Sequence, residues 1–453
     1  MTAVTLDAER RVIGDAGIAI EGTRIAAVAK AAELAGRYPD ASRLDGHGMV
    51  AIPGLIDTHS HADQSLLRGT TDDLGWIPFL RQWIDPWLAR RPLGALLAAY
   101  RLSLLEMVLG GTTTFLSPNV DPTDDLKALT GVIAEAGVRA VLARWVEPPD
   151  PDPTPDTGPA ANKSLEAAIA AIRRWNGSSG GLIQMWFGLM VPRVAGDRCD
   201  PPFYRAVADA ARHLGTGITY HFCSEIEDAE YYEATFGQRP AEWAERHGTL
   251  GPNVLLINGC WLSPAEISIV AATGTSVAYS PTATMKMATG VTPVPELLAA
   301  GVNVSLGTDG GANNNSHDML QEMKSGCLVQ NVTRRRTGAL TAEQALELAT
   351  LGGARAIGRS HDLGSLEVGK RADLVLVDLH RAGSAPANDV VSSLVYAANA
   401  SHVDTVLVDG ELLVREGKPL RVSPEAILRE ASETAARVVG TITPAHRPRW
   451  PVT

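Results

Sequence analysis

The sequence predicts an α/β chain whose middle section closes as a (β/α)8 barrel and whose two ends are rich in β-strand. Two observations carry this. Between residues 52 and 364, short apolar runs alternate with Ala/Leu-rich stretches of helical character, the order expected of successive βα units around a parallel sheet. Outside that span the texture changes, at both ends, to short strand-like pieces bounded by Gly or Asp.

The barrel strands can be taken in order. "GLIDTHSH", "GTTTFLS", "VRAVLARWVEP", "IQMWFGLMVP", "TGITYHFCSE", "NVLLINGCWLS", "TSVAYSPTAT" and "VNVSLGTDGG" are apolar runs, each followed by helix-compatible sequence. Eight such units make a barrel, whose active site lies at the C-terminal strand ends. At the N-terminus "GIAIEG", "TRIAAVAK" and "SRLDGHGMVAIPG" read as an antiparallel meander. "GSLEVGKRADLVLVDL" and "HVDTVLVDGELLVREGK" repeat that texture late in the chain. The Pro/Asp stretch at 147–164 interrupts the order as a long loop, either part of the mouth of the site or a solvated insertion.

Composition narrows the function. Of 453 residues, 45% are hydrophobic and 20% charged, as in an ordinary globular enzyme. A net charge of -11 without any Lys/Arg cluster argues against nucleic acid or an anionic membrane as the main partner. The four cysteines are scattered and form no CxxC pair, so neither a disulfide framework nor a structural zinc site is expected. With a polar N-terminus and no run of ~18 apolar residues, the expected location is the cytoplasm.

The strand ends hold the chemistry. His59 and His61 sit two residues apart, so their imidazoles project to one face. Alone, that pair serves a metal or a hydrogen-bonded surface about equally well. His221 ends the fifth run and Asp309 the eighth. Three imidazoles and a carboxylate converging at strand ends suit zinc or iron, with a position left open for water.

"PGLIDTHSH", "LLRGTTDDL", "GGTTTF", "TGITYHF", "GVNVSLGTDGGANNNSHDMLQEM" and "LGSLEVGKRADLVLVDL" together resemble the amidohydrolase superfamily. The resemblance is to the branch of adenosylhomocysteine/methylthioadenosine deaminases, guanine-type deaminases and s-triazine hydrolases, and it covers nearly the whole chain. It implies a distorted (β/α)8 TIM barrel with a small β-sandwich domain built from both chain ends. The expected boundaries are 1–51 with 365–420 for the composite β domain, 52–364 for the barrel, and 421–453 for a C-terminal helix and tail. By the same resemblance His59, His61, His221 and Asp309 bind one divalent metal ion, zinc or, alternatively, iron. Asp309 also moves a proton from the attacking water to the leaving group. A homo-oligomer, dimer or higher, is implied as well.

Two positions depart from the family pattern. Relatives carry His-x-x-Glu on the fifth strand, whereas "HFCSEIED" places Ser224 at that spacing and Glu225 one residue later. With Ser224 in the family's Glu position, its neighbour Glu225 faces the other way by alternation, unless a local bulge turns it inward. On the sixth strand Asn258 stands where relatives have a histidine, and an amide cannot shuttle a proton at neutral pH. Three readings stay open: a substrate needing no ring protonation, Glu225 acting through a shifted backbone, or a changed role for the scaffold. The candidate catalytic residues are therefore Asp309, Ser224, Glu225 and Asn258. Gln64, Trp76, Phe79 and Lys286 are the expected substrate contacts, with the aromatics placed to stack on a flat ring. His317, beyond the eighth strand, reads as a loop or helix-start residue. The expected activity is hydrolysis of a C–N bond, by deamination or amine release, in a small nitrogen-rich heterocycle or cyclic amidine. The alternatives are cleavage of an amide, C–halogen or C–S bond on such a ring, or a non-catalytic metal-binding scaffold.

Overall fold

A computed structural model describes residues 1–148, 163–193, 197, 199–444 and 450. Most of the Pro/Asp stretch at 147–164 therefore lies outside the described residues. Eight parallel strands form one nearly closed barrel: Leu55–Asp57, Thr112–Val120, Arg139–Val146, Ile183–Leu189, Ile218–Phe222, Val254–Asn258, Ser276–Tyr279 and Val304–Leu306. Seven fall within the apolar runs read from the sequence, and Thr112–Val120 starts in the second run and continues three residues past it. Their residues are almost all buried, because a parallel sheet is covered on both faces.

The barrel closes where the site will be. Thr58 N–H donates to the Leu306 carbonyl at 3.0 Å, and the two-residue extensions Ser60–His61 and Asp309–Gly310 pair in parallel beyond the first and eighth strands. Gly307 permits this approach. A Cβ there would stand 2.7 Å from the His59 Cβ and 2.9 Å from its backbone nitrogen, too close for any other residue.

The connecting helices follow local rules. Helix Pro264–Thr273, for example, starts at Ser263, whose hydroxyl accepts from the Glu266 N–H while Glu266 bonds back to the Ser263 N–H. Pro264 fills its first position and Gly274, in the left-handed region, ends it. Near the C-terminus, helix Pro424–Ile442 packs on Leu93–Leu109.

The two chain ends meet in one seven-stranded mixed sheet. Its order is Lys418–Pro419, Glu411–Arg415, Val403–Val408, Leu374–Asp378, Met49–Pro53, Thr2–Val4, Val12–Ile13. The hairpin Ala16–Glu21/Arg24–Lys30 shares with it a core containing Ala3, Ile25, Ala51 and Leu374. The N-terminal part is not the simple antiparallel meander expected, since Thr2–Val4 pairs antiparallel with Val12–Ile13 but parallel with Met49–Pro53. Pairing with a strand some fifty residues later leaves no local sequence signal. The barrel's N-terminal end is tied to this sheet by Arg139, fully buried, whose guanidinium lies 3.1 Å from Asp373 and 2.9 Å from Asp409. Among the described residues no single helix is long and apolar enough to cross a membrane.

Candidate active site

The first, fifth and eighth strands deliver His59, His61, His221 and Asp309 to one point at the C-terminal end of the barrel. One ring nitrogen from each histidine lies within 4.8 Å of the others. His61 Nε2 is 3.4 Å from His221 Nε2, and Asp309 Oδ1 is 3.3 Å from His59 Nε2 and 3.5 Å from His61 Nε2. Both ring nitrogens of His59 and Oδ1 of Asp309 are buried without a well-formed hydrogen bond among the described residues. Buried polar atoms are rarely left so, and three imidazoles with one carboxylate are a donor set that fits a divalent metal.

The electrostatics agree. Burial, reinforced by the neighbouring His59, lowers the pKa of His61, and burial with His59 and His61 lowers that of His221 well below the usual range. Both shifts favour the neutral ring, the form that ligates. Burial would raise Asp309, but the pull of the cluster, His59 foremost through charge and a hydrogen bond, keeps its pKa below the ordinary value, as a positive centre at this point does.

His61, His221 and Asp309 of the cluster line a cavity of about 360 Å³. Trp76, Phe79, Trp145, Leu189 and Met287 give it apolar walls, and Gln64, Asn119, Arg193 and Asn313 supply polar groups. Ser224, Glu225 and Asn258 all line it. The fifth strand stops at Phe222, and Cys223 then takes a left-handed conformation, φ 47°, so strand alternation no longer decides where the next two side chains point. Ser224 Oγ accepts from Asn258 Nδ2 at 3.2 Å. Glu225 Oε1 is buried and lacks a hydrogen-bond partner among the described residues. Burial pushes its pKa up to about 8 against the pull of Arg193, with Asp228 and Glu227 adding to the rise.

Asp228 shapes this turn. Its Oδ2 accepts from the backbone N–H groups of Ser224 and Glu225, at 2.9 and 3.3 Å. Arg193 grips the same carboxylate in bidentate fashion, at 3.0 and 2.8 Å, and lies 4.4 Å above the Trp76 ring. The wall that carries Trp76 and the turn that carries Glu225 are therefore joined through one cation.

Residues 50–413 match the profile of the amidohydrolase family. The chain belongs to the amidohydrolase family. Residues 16–41 also match an imidazolonepropionase-like composite domain of bacteria. This amidohydrolase is 34% identical over 438 residues to a 5-methylthioadenosine/S-adenosylhomocysteine deaminase of Pelotomaculum thermopropionicum, covering 97% of each chain. It is 31% identical over 435 residues to a 5′-deoxyadenosine deaminase of Methanosarcina mazei, covering 94% of this chain and 96% of the other. A zinc-bound adenosine deaminase from Xanthomonas campestris superposes with a TM-score of 0.86 at 28% identity, over 97% of each chain.

Of the residues singled out in the sequence, Gln64, Trp76 and Phe79 border the cavity of the amidohydrolase. Lys286 stands outside its lining and pairs with Asp72 at 2.6 Å. Arg193 escaped the sequence reading although it lies just beyond the fourth apolar run, where the rule of strand ends applies. Its signal was positional only, since a single arginine in a loop matches no motif.

Proposed function

We propose that this amidohydrolase deaminates an aminated purine or a related nitrogen-rich heterocycle, with His59, His61, His221 and Asp309 holding one divalent ion, zinc rather than iron. The observation that carries the reading is Glu225: a buried glutamic acid with an unengaged oxygen, its pKa pushed up to about 8 by burial, lining the same cavity as His61, His221 and Asp309. When bound, the metal supplies Lewis-acid activation of a water near neutral pH.

The chain's own groups do the rest. Trp76, Phe79 and the other apolar walls sandwich a flat ring and exclude bulk water. Glu225 gives its proton to the ring nitrogen next to the attacked carbon, which lets that carbon accept the water oxygen. Asp309, held anionic, takes the water's proton and returns it to the departing amine. The C–N bond breaks, ammonia leaves, and the ring keeps a carbonyl. Recovery of a proton by Glu225 from the product restores the starting state. Asn258 and Ser224, bonded to one another, orient the ring without moving a proton. The named substrates of the relatives support an adenosine-like nucleoside as the first compound to try. Zinc in the Xanthomonas structure supports the metal. Four unpaired cysteines are consistent with a reducing, cytoplasmic setting, and we expect a homo-oligomer acting on small molecules alone.

The test is ammonia release by the zinc-loaded protein on a panel of adenosine-like nucleosides, free aminopurines, aminotriazines and cyclic amidines. We expect turnover of at least one member that His221→Ala abolishes. Release of halide, thiol or a carboxylic acid in place of ammonia, or equal rates in His221→Ala, would refute the reading.

A further inference from the structure

His317 is wholly buried, lies outside the cavity lining, and has no part in the chemistry above. Yet every polar atom it offers toward the site is engaged. Nδ1 is 3.0 Å from the Thr308 hydroxyl, Nε2 is 3.3 Å from the Ser65 hydroxyl, and its backbone N–H donates to Glu106 Oε1 at 2.9 Å. Thr308 Oγ1 in turn donates to Asp57 Oδ2 at 2.5 Å. The other oxygen, Asp57 Oδ1, accepts from the backbone N–H groups of Thr308 and His59, at 3.1 and 3.2 Å. One buried carboxylate thus ties together the two segments that present His59 and Asp309, and the Asp309 N–H closes the ring by donating to the His59 carbonyl at 2.8 Å.

An imidazole is well chosen for this place. Burial lowers its pKa to about 4, so the ring is neutral and can bridge two hydroxyl groups that face it from different elements. Ser65 gives its one proton to Nε2 and accepts from Ser103 at 2.5 Å, and Ser103 Oγ lies 2.8 Å from the Ala62 carbonyl, which sets the bridge against the segment just after His61. A leucine of similar size would leave the Thr308 and Ser65 hydroxyls short of a partner in a dry interior.

We propose that His317 is a positioning residue for the metal site: by fixing Thr308, and through it Asp57, it holds His59 and Asp309 converged before a metal arrives. The inference rests on the metal assignment made above. Partners that orient ligands from behind are typically worth ~10-fold to ~100-fold in metal affinity, and a bridge of this kind predicts a loss in that range.

Zinc dissociation constants, measured on the full chain by competition with a chromogenic chelator, decide the matter for wild type, His317→Leu, His317→Asn, Thr308→Val and the double variant His317→Leu/Thr308→Val. Apo-protein melting is followed alongside. We expect His317→Leu and Thr308→Val each to bind zinc ~10-fold to ~100-fold more weakly, and the double variant to be no worse than the poorer single one, because both break the same bridge. His317→Asn, whose amide can stand where Nδ1 stands, should recover most of the affinity. If His317→Leu fails to fold, Thr308→Val and His317→Asn carry the test. Zinc binding within twofold of wild type in the leucine and valine variants, with His221→Ala losing its zinc, overturns the inference alone. So do losses that simply multiply in the double variant, or a lowered apo melting temperature with unchanged zinc affinity. A wild type that takes up no zinc overturns the metal assignment and the inference together.

Discussion

Glu225→Gln is the most informative single change, because it preserves shape and hydrogen bonding while removing the titratable group. In wild type the acid is active while protonated. With its pKa pushed up to about 8 by burial, activity should be level through neutral pH and fall as pH rises through about 8. The glutamine variant should lose ~100-fold to ~10,000-fold in kcat/KM at neutral pH, the usual worth of general acid catalysis, and should lose this alkaline limb altogether. Stability supplies a second readout that needs no substrate. The folded chain binds this proton with a pKa of about 8 and the unfolded chain with the ordinary 4.5, so the folded state holds the extra proton and wild-type stability drains away as pH climbs between those values. At about 1.4 kcal/mol per pKa unit the full effect is a few kcal/mol, an upper bound because water reaches the cavity. Urea unfolding of both proteins from pH 5 to pH 9 should therefore show the glutamine variant gaining on wild type as pH rises. A stability difference that does not change with pH, or an alkaline limb that persists in Glu225→Gln, would refute the reasoning.

Other consequences can be checked in the same preparations. His61→Ala or His221→Ala should strip most metal by elemental analysis, while Asp309→Asn should lose essentially all turnover even where some metal stays; full occupancy in both histidine variants would discard the site. Arg139→Ala leaves the buried Asp373 without its cation, while Asp409 keeps Arg371 at 3.0 Å, and removing one partner of such a buried pair should cost ~3–5 kcal/mol in urea titration. Deleting residues 1–48 removes the strand that flanks Met49–Pro53 and uncovers it beside Leu374–Asp378, so the truncated chain should lose cooperative melting or solubility; a truncated protein that melts as sharply as the full chain would show that the two ends do not form one folding unit.

The barrel was legible because parallel strands announce themselves twice. A strand such as Val254–Asn258 is a short, nearly all-apolar run, and it is followed by a helix with its own start and stop residues. The rule that function sits at strand ends then picked His59, His61, His221 and Asp309 from a chain with eleven histidines. Arg193 and His317 were not legible as site residues for a different reason. Each depends on what folding brings opposite it, Asp228 and Trp76 for one, Thr308 and Ser65 for the other, and the His317–Ser65 contact joins positions 252 residues apart. No local pattern marks such a pairing. The parallel partner of Thr2–Val4 was hidden in the same way.

The aim of Glu225 shows where pattern reasoning loses its footing. Counting from His221 by twos puts Glu225 on the histidine's face, while matching Ser224 to the family's Glu position turns Glu225 away, and either count is sound only while the strand lasts. Here it ends at Phe222, and the backbone turns left-handed at Cys223, just as it does at Asn258, φ 74°, and at Asp309, φ 64°. Non-glycine residues in that region cost about 1–3 kcal/mol each where the surroundings must enforce the conformation. The surroundings are visible: Asp228 takes the N–H groups of Ser224 and Glu225, Thr292 Oγ1 donates to the Asn258 carbonyl at 2.6 Å, and the His59 carbonyl takes the Asp309 N–H. None of these three residues is a glycine, so the sequence gives no warning that the chain will bend there. The direction of the acid is thus set by a torsion held from outside the strand, and a one-residue offset in the alignment need not mean a missing acid.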